Sequence, residues 1–175
     1  MERIEGRVEQ LKSGEMKVGF MGNDRYEATG ESVAAIATLE EYGGGNIPAR
    51  PFFRPLIAQK QSEWIERTEV LLASGMPVSQ VLGILGKMIS EELKVQIGEG
   101  DHEPLAPITL MIRKMKDERP ELKTRPLTGA EIGEAAARVA AGEMGATGTR
   151  ARPLVDTGRL LAAPTFIVGG EREPT

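Results

Sequence analysis

Asp156-Thr157-Gly158, preceded by the apolar pair Leu154-Val155, has the form of the catalytic turn of an aspartic protease. That chemistry needs two carboxylates sharing one proton, so a chain with one such turn would require a second copy to act. The residues that follow, Arg159-Leu160-Leu161, read as the start of a helix. The simpler expectation is that Asp156 caps a short helical turn ending before Pro164. His102 is the only histidine and lies in the loop Gly-Asp-His-Glu-Pro. One imidazole with Asp101 and Glu103 beside it falls short of the three or four convergent ligands of a metal site. No Ser/His/acid or Cys/His set can be assembled around it either. Gly43-Gly44-Gly45 resembles a phosphate loop, but no lysine–threonine pair follows and the glycines leave a helix instead of joining a strand to one. A helix stop is expected there. Glu40-Glu41 and Glu91-Glu92 are sequence neighbours that diverge on a helix, and so read as solvated faces.

The stretch Arg113 to Arg125 carries six basic and three acidic residues. Arg113, Lys114, Lys116, Lys123 and Arg125 are the candidate DNA-facing set. No aromatic residue is interleaved for base stacking, which favours an ordinary charged surface. A net charge of −4 also argues against sequence-independent binding of nucleic acid by the whole surface. With no cysteine there is no disulfide, thiolate nucleophile or zinc–thiolate centre. No cofactor and no metal are expected.

These residues must be positioned by a core built on Leu, Ile, Val, Ala and the eight Met, because aromatics make up only 4% of the chain. Ile4, Val8 and Leu11 recur at helical spacing. Glu15 to Gly22 alternates Met16, Val18 and Phe20 against polar residues, the period of a half-buried strand, with Tyr26 to Ala28 as its expected return. Ser32 to Tyr42 reads as a helix. Leu56 to Ala73 reads as a longer one with Ile57, Trp64, Ile65, Thr68, Leu71 and Leu72 inward. From Val78 to about Ile97 the apolar residues Val78, Val81, Leu82, Leu85, Met88, Ile89, Leu93 and Ile97 share one face. Pro107 to Lys116 and Ala130 to Ala141 are shorter helices, and Thr165 to Val168 is a last strand. The region 117–150 is rich in alanine and glycine and reads as an insertion or protruding arm. The residues 169–175 read as a flexible tail. The N-terminal MERIEGRVEQLK lacks the apolar run of a secretion signal, and no stretch approaches the roughly 20 apolar residues of a membrane span.

The segment Asn46 to Pro55, NIPARPFFRP, holds three prolines that fix φ and favour an extended path. Along such a path Phe52 and Phe53 point in different directions, so one enters the core and the other suits a partner's surface beside Arg50 and Arg54.

Three segments in order carry a resemblance: VAAIATLEEYGGGNIPARPFFRP, LAPITLMIRKMK and RPLVDTGRLLAAPTFIV. They resemble the tail-completion (neck) proteins of long-tailed bacteriophages, the group that includes lambda minor tail protein Z-like proteins. The likeness rests on Tyr42-Gly43 closing a helix, Ile47 to Phe52, the box Leu105 to Leu110, and Pro153 to Leu160 leading into a final strand. It spans Val33 to Val168. It departs from the family pattern at Ala106 and Ile108, and in the length of Asp117 to Arg150. The resemblance implies a single α+β domain of helices packed on one face of an antiparallel sheet, without catalytic activity. It implies a virion component made in the host cytoplasm that forms or caps a six-fold ring at the head-proximal end of the tail. Partners would be further copies of itself, the tail terminator, the tail tube and the head–tail connector, with genomic DNA in the lumen as a non-specific contact and no membrane. Ile47, Pro48, Arg50, Pro51, Phe52, Phe53, Arg54, Asp156, Thr157 and Arg159 would lie at subunit interfaces. The alternatives are a tail terminator or connector subunit and, from another class, a small nucleic-acid-binding module.

Overall fold

Met16 and Val18 do alternate against Glu15 and Lys17, and the strand they form, β1 (Glu15–Gly19), finds its partner at the far end of the chain. It pairs antiparallel with β2 (Thr165–Gly169), in the register Met16↔Val168 and Val18↔Phe166. The structure is a computed structural model that describes residues 14–45 and 47–169. The expected N-terminal helix, Asn46 and the tail beyond Gly169 lie outside the described residues. Between the strands run the helices α1 (Val33–Tyr42), α2 (Phe53–Ala73), α3 (Val78–Glu99), α4 (Pro107–Glu118), α5 (Gly129–Ala140) and α6 (Arg159–Ala162). Two 3₁₀ turns, Pro120–Lys123 and Gly148–Ala151, complete the described order. The fold class is α+β.

The expected return strand at Tyr26 to Ala28 is absent among the described residues. Tyr26 N–H instead donates to the Glu31 carbonyl and Gly30 N–H to Tyr26, so 26–30 close a tight turn between the bridged Arg25 and Ser32. Such a turn satisfies its polar groups locally and leaves β1 to a distant partner.

The chain divides into two compact units. In the first, formed by Met1–Met21, Phe52–Gln96 and Pro164–Thr175, α3 buries Val78, Val81, Leu85, Ile89 and Leu93 of the face its spacing predicts, while Leu82 and Met88 of that face are half-buried. Gly86 lets the sheet sit directly on this helix, since a Cβ there would fall 2.4 Å from Phe166 Cδ2. Trp64 on α2 donates its indole N–H to Glu92 of α3 at 2.7 Å. Phe20 and Phe52 pack edge to face, their centroids 5.9 Å apart. The expected inward stripe of α2 is corrected here. Leu56 is its buried residue, whereas Ile57 and Ile65 are exposed, because anchoring at Leu56 and Trp64 rotates the helix away from them.

In the second unit, Gly22–Pro51 with Ile97–Ala163, Met111 and Met115 of α4 pack against Leu122 and Ala135, flanked by Ile108, Leu127 and Val139. The alanine-rich stretch therefore contributes helix α5 to a core. That helix is started by a capping box, Glu131 N–H on the Thr128 hydroxyl and Thr128 N–H on the Glu131 carboxylate at 2.7 Å. Gly145 passes so close to α4 that a Cβ would stand 2.6 Å from the Leu110 carbonyl carbon.

Candidate interaction site

The segment expected to project as a stiff arm is folded back within the second unit. Helix α1 ends at Gly43, whose φ of 72° suits glycine and whose missing Cβ admits the backbone of Ile47 and Ala49. Gly44 and Ile47 then exchange backbone hydrogen bonds across a tight turn. The chain returns along α1, where Arg50 N–H donates to the Glu40 carbonyl at 2.7 Å. The Arg50 side chain, 8% exposed, pairs with the Glu40 carboxylate at 3.1 Å and donates through Nε to the Glu103 carbonyl at 2.9 Å. Arg50 and Phe52, expected at a subunit interface, are thus buried by their own chain. The physical reason is that an arginine beside an internal carboxylate and an open carbonyl is satisfied without a partner. The extended path also ends earlier than the prolines suggest: Phe53, Arg54 and Pro55 already form the first turn of α2, where a proline needs no N–H partner. Phe53 is half-buried and Arg54 exposed, while Ile47 and Pro48 are exposed and Pro51 is half-buried.

A second arginine organises the other end of the motif series. Arg113, on α4, is 5% exposed and donates to three carbonyls, those of Arg150 (2.9 Å), Arg152 (2.6 Å) and Pro153 (2.9 Å). Its Nε also stands 3.5 Å from Asp156. Burial lowers the Arg113 pKa from its usual value, and Asp156 opposes that effect. The Asp156 carboxylate in addition meets Lys116 at 3.5 Å and Arg150 at 3.1 Å. Its oxygens face cations where protease chemistry would need a second carboxylate. Nor is Asp156 the helix cap it was expected to be. The N-cap is Gly158, with φ of 75°, and Arg159 N–H reaches the Thr157 hydroxyl at 3.4 Å. The Arg159 guanidinium pairs with Glu27.

Around this corner lies a cavity of about 690 Å³ lined by Tyr26, Glu40, Lys116, Arg150, Asp156 and Arg159 among others. Burial and then the Asp156 charge push the Tyr26 hydroxyl pKa up. The lining mixes both signs and pairs them with each other, Lys116 and Arg150 with Asp156 and Arg159 with Glu27. His102 is half-buried beside Gly98 and Arg152 in a smaller recess of about 400 Å³. No cluster of ligands suited to a metal ion occurs among the described residues.

The candidate DNA-facing set does not form a basic face. Arg113 is interior. Lys114 pairs with Glu143 at 2.7 Å, Lys123 with Asp117 at 3.0 Å and Arg125 with Glu131 at 2.5 Å. Lys116 faces Asp156. Each charge is met by an acid of its own chain, which lowers the attraction for phosphate. Sequence reasoning missed Tyr42, 64% exposed beside the Gly43 stop, and the exposed Ile65 and Val70 of α2. It also missed the stapling role of Arg113, whose only signal is a position about 200° around α4 from Met111 in a helix covered on both sides. Comparison of the chain with models of known families, with curated proteins and with solved structures gives no match.

Proposed function

We propose that the chain is a structural subunit of a phage neck, completing the head-proximal end of the tail and helping to join tail to head as part of a ring, with no reaction of its own. One observation carries the reading. The three sequence segments that bear the resemblance are tied to one another by two buried arginines, Arg50 to the loop before the second segment and Arg113 to the start of the third. Burying a charge is costly unless it is fully paired, and here both guanidiniums are engaged with backbone carbonyls and carboxylates. What that arrangement delivers is a fixed backbone shape. Fixed shape lowers the ordering cost of assembly, which is what a docking subunit requires. The residues left outward by this bracing are Tyr42, Ile47 and Pro48, and they, in place of the buried Phe52, are the proposed apolar anchors.

The direct test is mass spectrometry of purified tailed particles from the lineage that encodes the chain, together with deletion of its gene. The polypeptide should be present at a small fixed copy number per tail, and deletion should yield unjoined heads and tails. Infectious particles that lack the polypeptide would end the proposal. Ile47→Asp should lower the yield of joined particles at least tenfold while leaving the melting temperature of the isolated protein within a few degrees.

A further inference from the structure

Two side chains of the cavity at the Asp156 corner, Tyr26 and Lys116, bring polar hydrogens to it that their own chain does not fully use. Both are half-buried, and both belong to the second unit. Tyr26 bonds through its backbone within the 26–30 turn, but its hydroxyl has no acceptor within hydrogen-bond distance among the described residues. Its raised pKa keeps that hydroxyl protonated, and so a donor. The Lys116 ammonium has one ion-pair partner among the described residues, Asp156 at 3.5 Å. That is longer than a charge-assisted hydrogen bond of roughly 2.7–2.9 Å. Donors partly withdrawn from water gain from an acceptor.

The charge balance points the same way. Asp156 is shared by Arg113, Lys116 and Arg150, and the neighbouring Asp117 by Arg150 and Lys123. Four cations thus face two carboxylates, or three when the exposed Glu31 of the lining is counted. The other lining acids are taken up by cations of their own, Glu40 by Arg50 and Glu27 by Arg159. Arg113 and Arg150 have backbone carbonyls as well as carboxylates to bond, whereas Lys116 has Asp156 alone. Lys114 and Arg125, which Glu143 and Glu131 hold on the outer surface, are not part of this lining.

We infer that the cavity is a binding site for a small oxyanion, a carboxylate or phosphate group that accepts from the Lys116 ammonium and the Tyr26 hydroxyl, with Lys123 as a further cation. A volume of about 690 Å³ is within the range of small-molecule sites. An oxyanion supplies the acceptor that both donors lack and offsets the surplus positive charge; a cation or an apolar ligand does neither. The site goes beyond the neck reading and is independent of it, because a free chain can bind.

Tyrosine difference absorbance reports on the site, since the chain has two tyrosines and Tyr42 lies outside the lining. Sodium phosphate and sodium succinate are titrated separately into the full chain, with chloride adjusted to hold ionic strength constant. At least one of them should give a saturable signal with half-saturation at about 1 mM, and should raise the melting temperature. By calorimetry, Lys116→Gln should weaken binding about tenfold or more and Tyr26→Phe about threefold. Both variants should melt within a few degrees of the parent in chloride, because neither loses a hydrogen bond of the fold. Response to phosphate alone supports the site and assigns a phosphoryl ligand; response to succinate alone supports it and assigns a carboxylate. No saturation below about 50 mM with either anion would overturn the inference. So would equal binding by the parent and Lys116→Gln, or a melting temperature that chloride raises as much as the oxyanions do.

Discussion

Arg113 concentrates the energetics of the second unit in one side chain. Removing it leaves three carbonyls without their donor and Asp156 with one cation fewer. Arg113→Ala should therefore cost about 3 kcal/mol or more in urea unfolding. Arg113→Lys should recover little, because an ammonium cannot span three acceptors in a fixed fork. A loss under about 1 kcal/mol for the alanine variant would show that the staple is not structural. Acid response is set by other residues. Hydrogen bonds from Arg125 and then Thr128 lower the Glu131 pKa from 4.5 to about 2, and Arg138 and Lys114 do the same for Glu143. A carboxylate whose folded pKa lies below its unfolded one stabilises fully above the unfolded value, and that contribution is lost as pH falls through the folded value. Helix α5 and its surroundings should hence weaken between pH 4.5 and about 2, seen as loss of helical circular dichroism. Glu131→Gln should flatten that part of the profile; an unchanged profile would contradict the assignment.

Among the elements, glycine marks where backbones touch and where they do not. Gly145→Ala would drive a methyl to 2.6 Å from the Leu110 backbone, which cannot swing aside. Gly86→Ala meets the Phe166 ring at 2.4 Å, and the ring can move only by lifting β2 from α3. Gly133, inside α5, has nothing within 4 Å of a built Cβ. Thermal melts should place Gly145→Ala and Gly86→Ala well below the parent, with Phe166→Leu partly rescuing Gly86→Ala. Gly133→Ala should melt above the parent, by about 0.5–1 kcal/mol of added stability. A neutral Gly145→Ala would mean that α4 and the 142–147 segment are not in contact as described. Helix and strand spans were largely legible because periodicity is local: β1, α1, α3, α4 and β2 lie where their patterns put them. Faces were legible only where one side was apolar. Helix α2 has apolar residues on several sides, so its pattern could not tell that Leu56 goes in while Ile57, Ile65 and Val70 stay out. The capping box at Thr128 and Glu131 was readable as Thr-x-x-Glu and was passed over.

At the scale of the whole molecule, what the sequence could not convey is who pairs with whom. Alternation showed that β1 is a strand but not that its partner begins at Thr165, because a period of two is the same whichever strand lies alongside. Basic residues between 113 and 125 showed charge but not that Glu143, Asp117, Glu131 and Asp156 come to meet it from elsewhere. On that pairing the proposed neck subunit and the small nucleic-acid-binding module make different predictions for DNA binding. Affinity for duplex DNA rises with the number of phosphates neutralised by unspent cations, and each such contact steepens the salt dependence. Here the net charge is −4 and the basic stretch is internally paired, so the released-counterion term should be small. A fluorescence titration of the isolated protein with duplex DNA should find binding weaker than about 100 μM at 0.15 M salt, with a log–log salt slope shallower than about −2. The variants Glu131→Gln and Glu143→Gln release Arg125 and Lys114 from their partners and should tighten binding measurably if pairing is what silences the stretch. Binding tighter than about 1 μM by the parent protein, falling steeply with salt, would transfer the weight of argument to the nucleic-acid module.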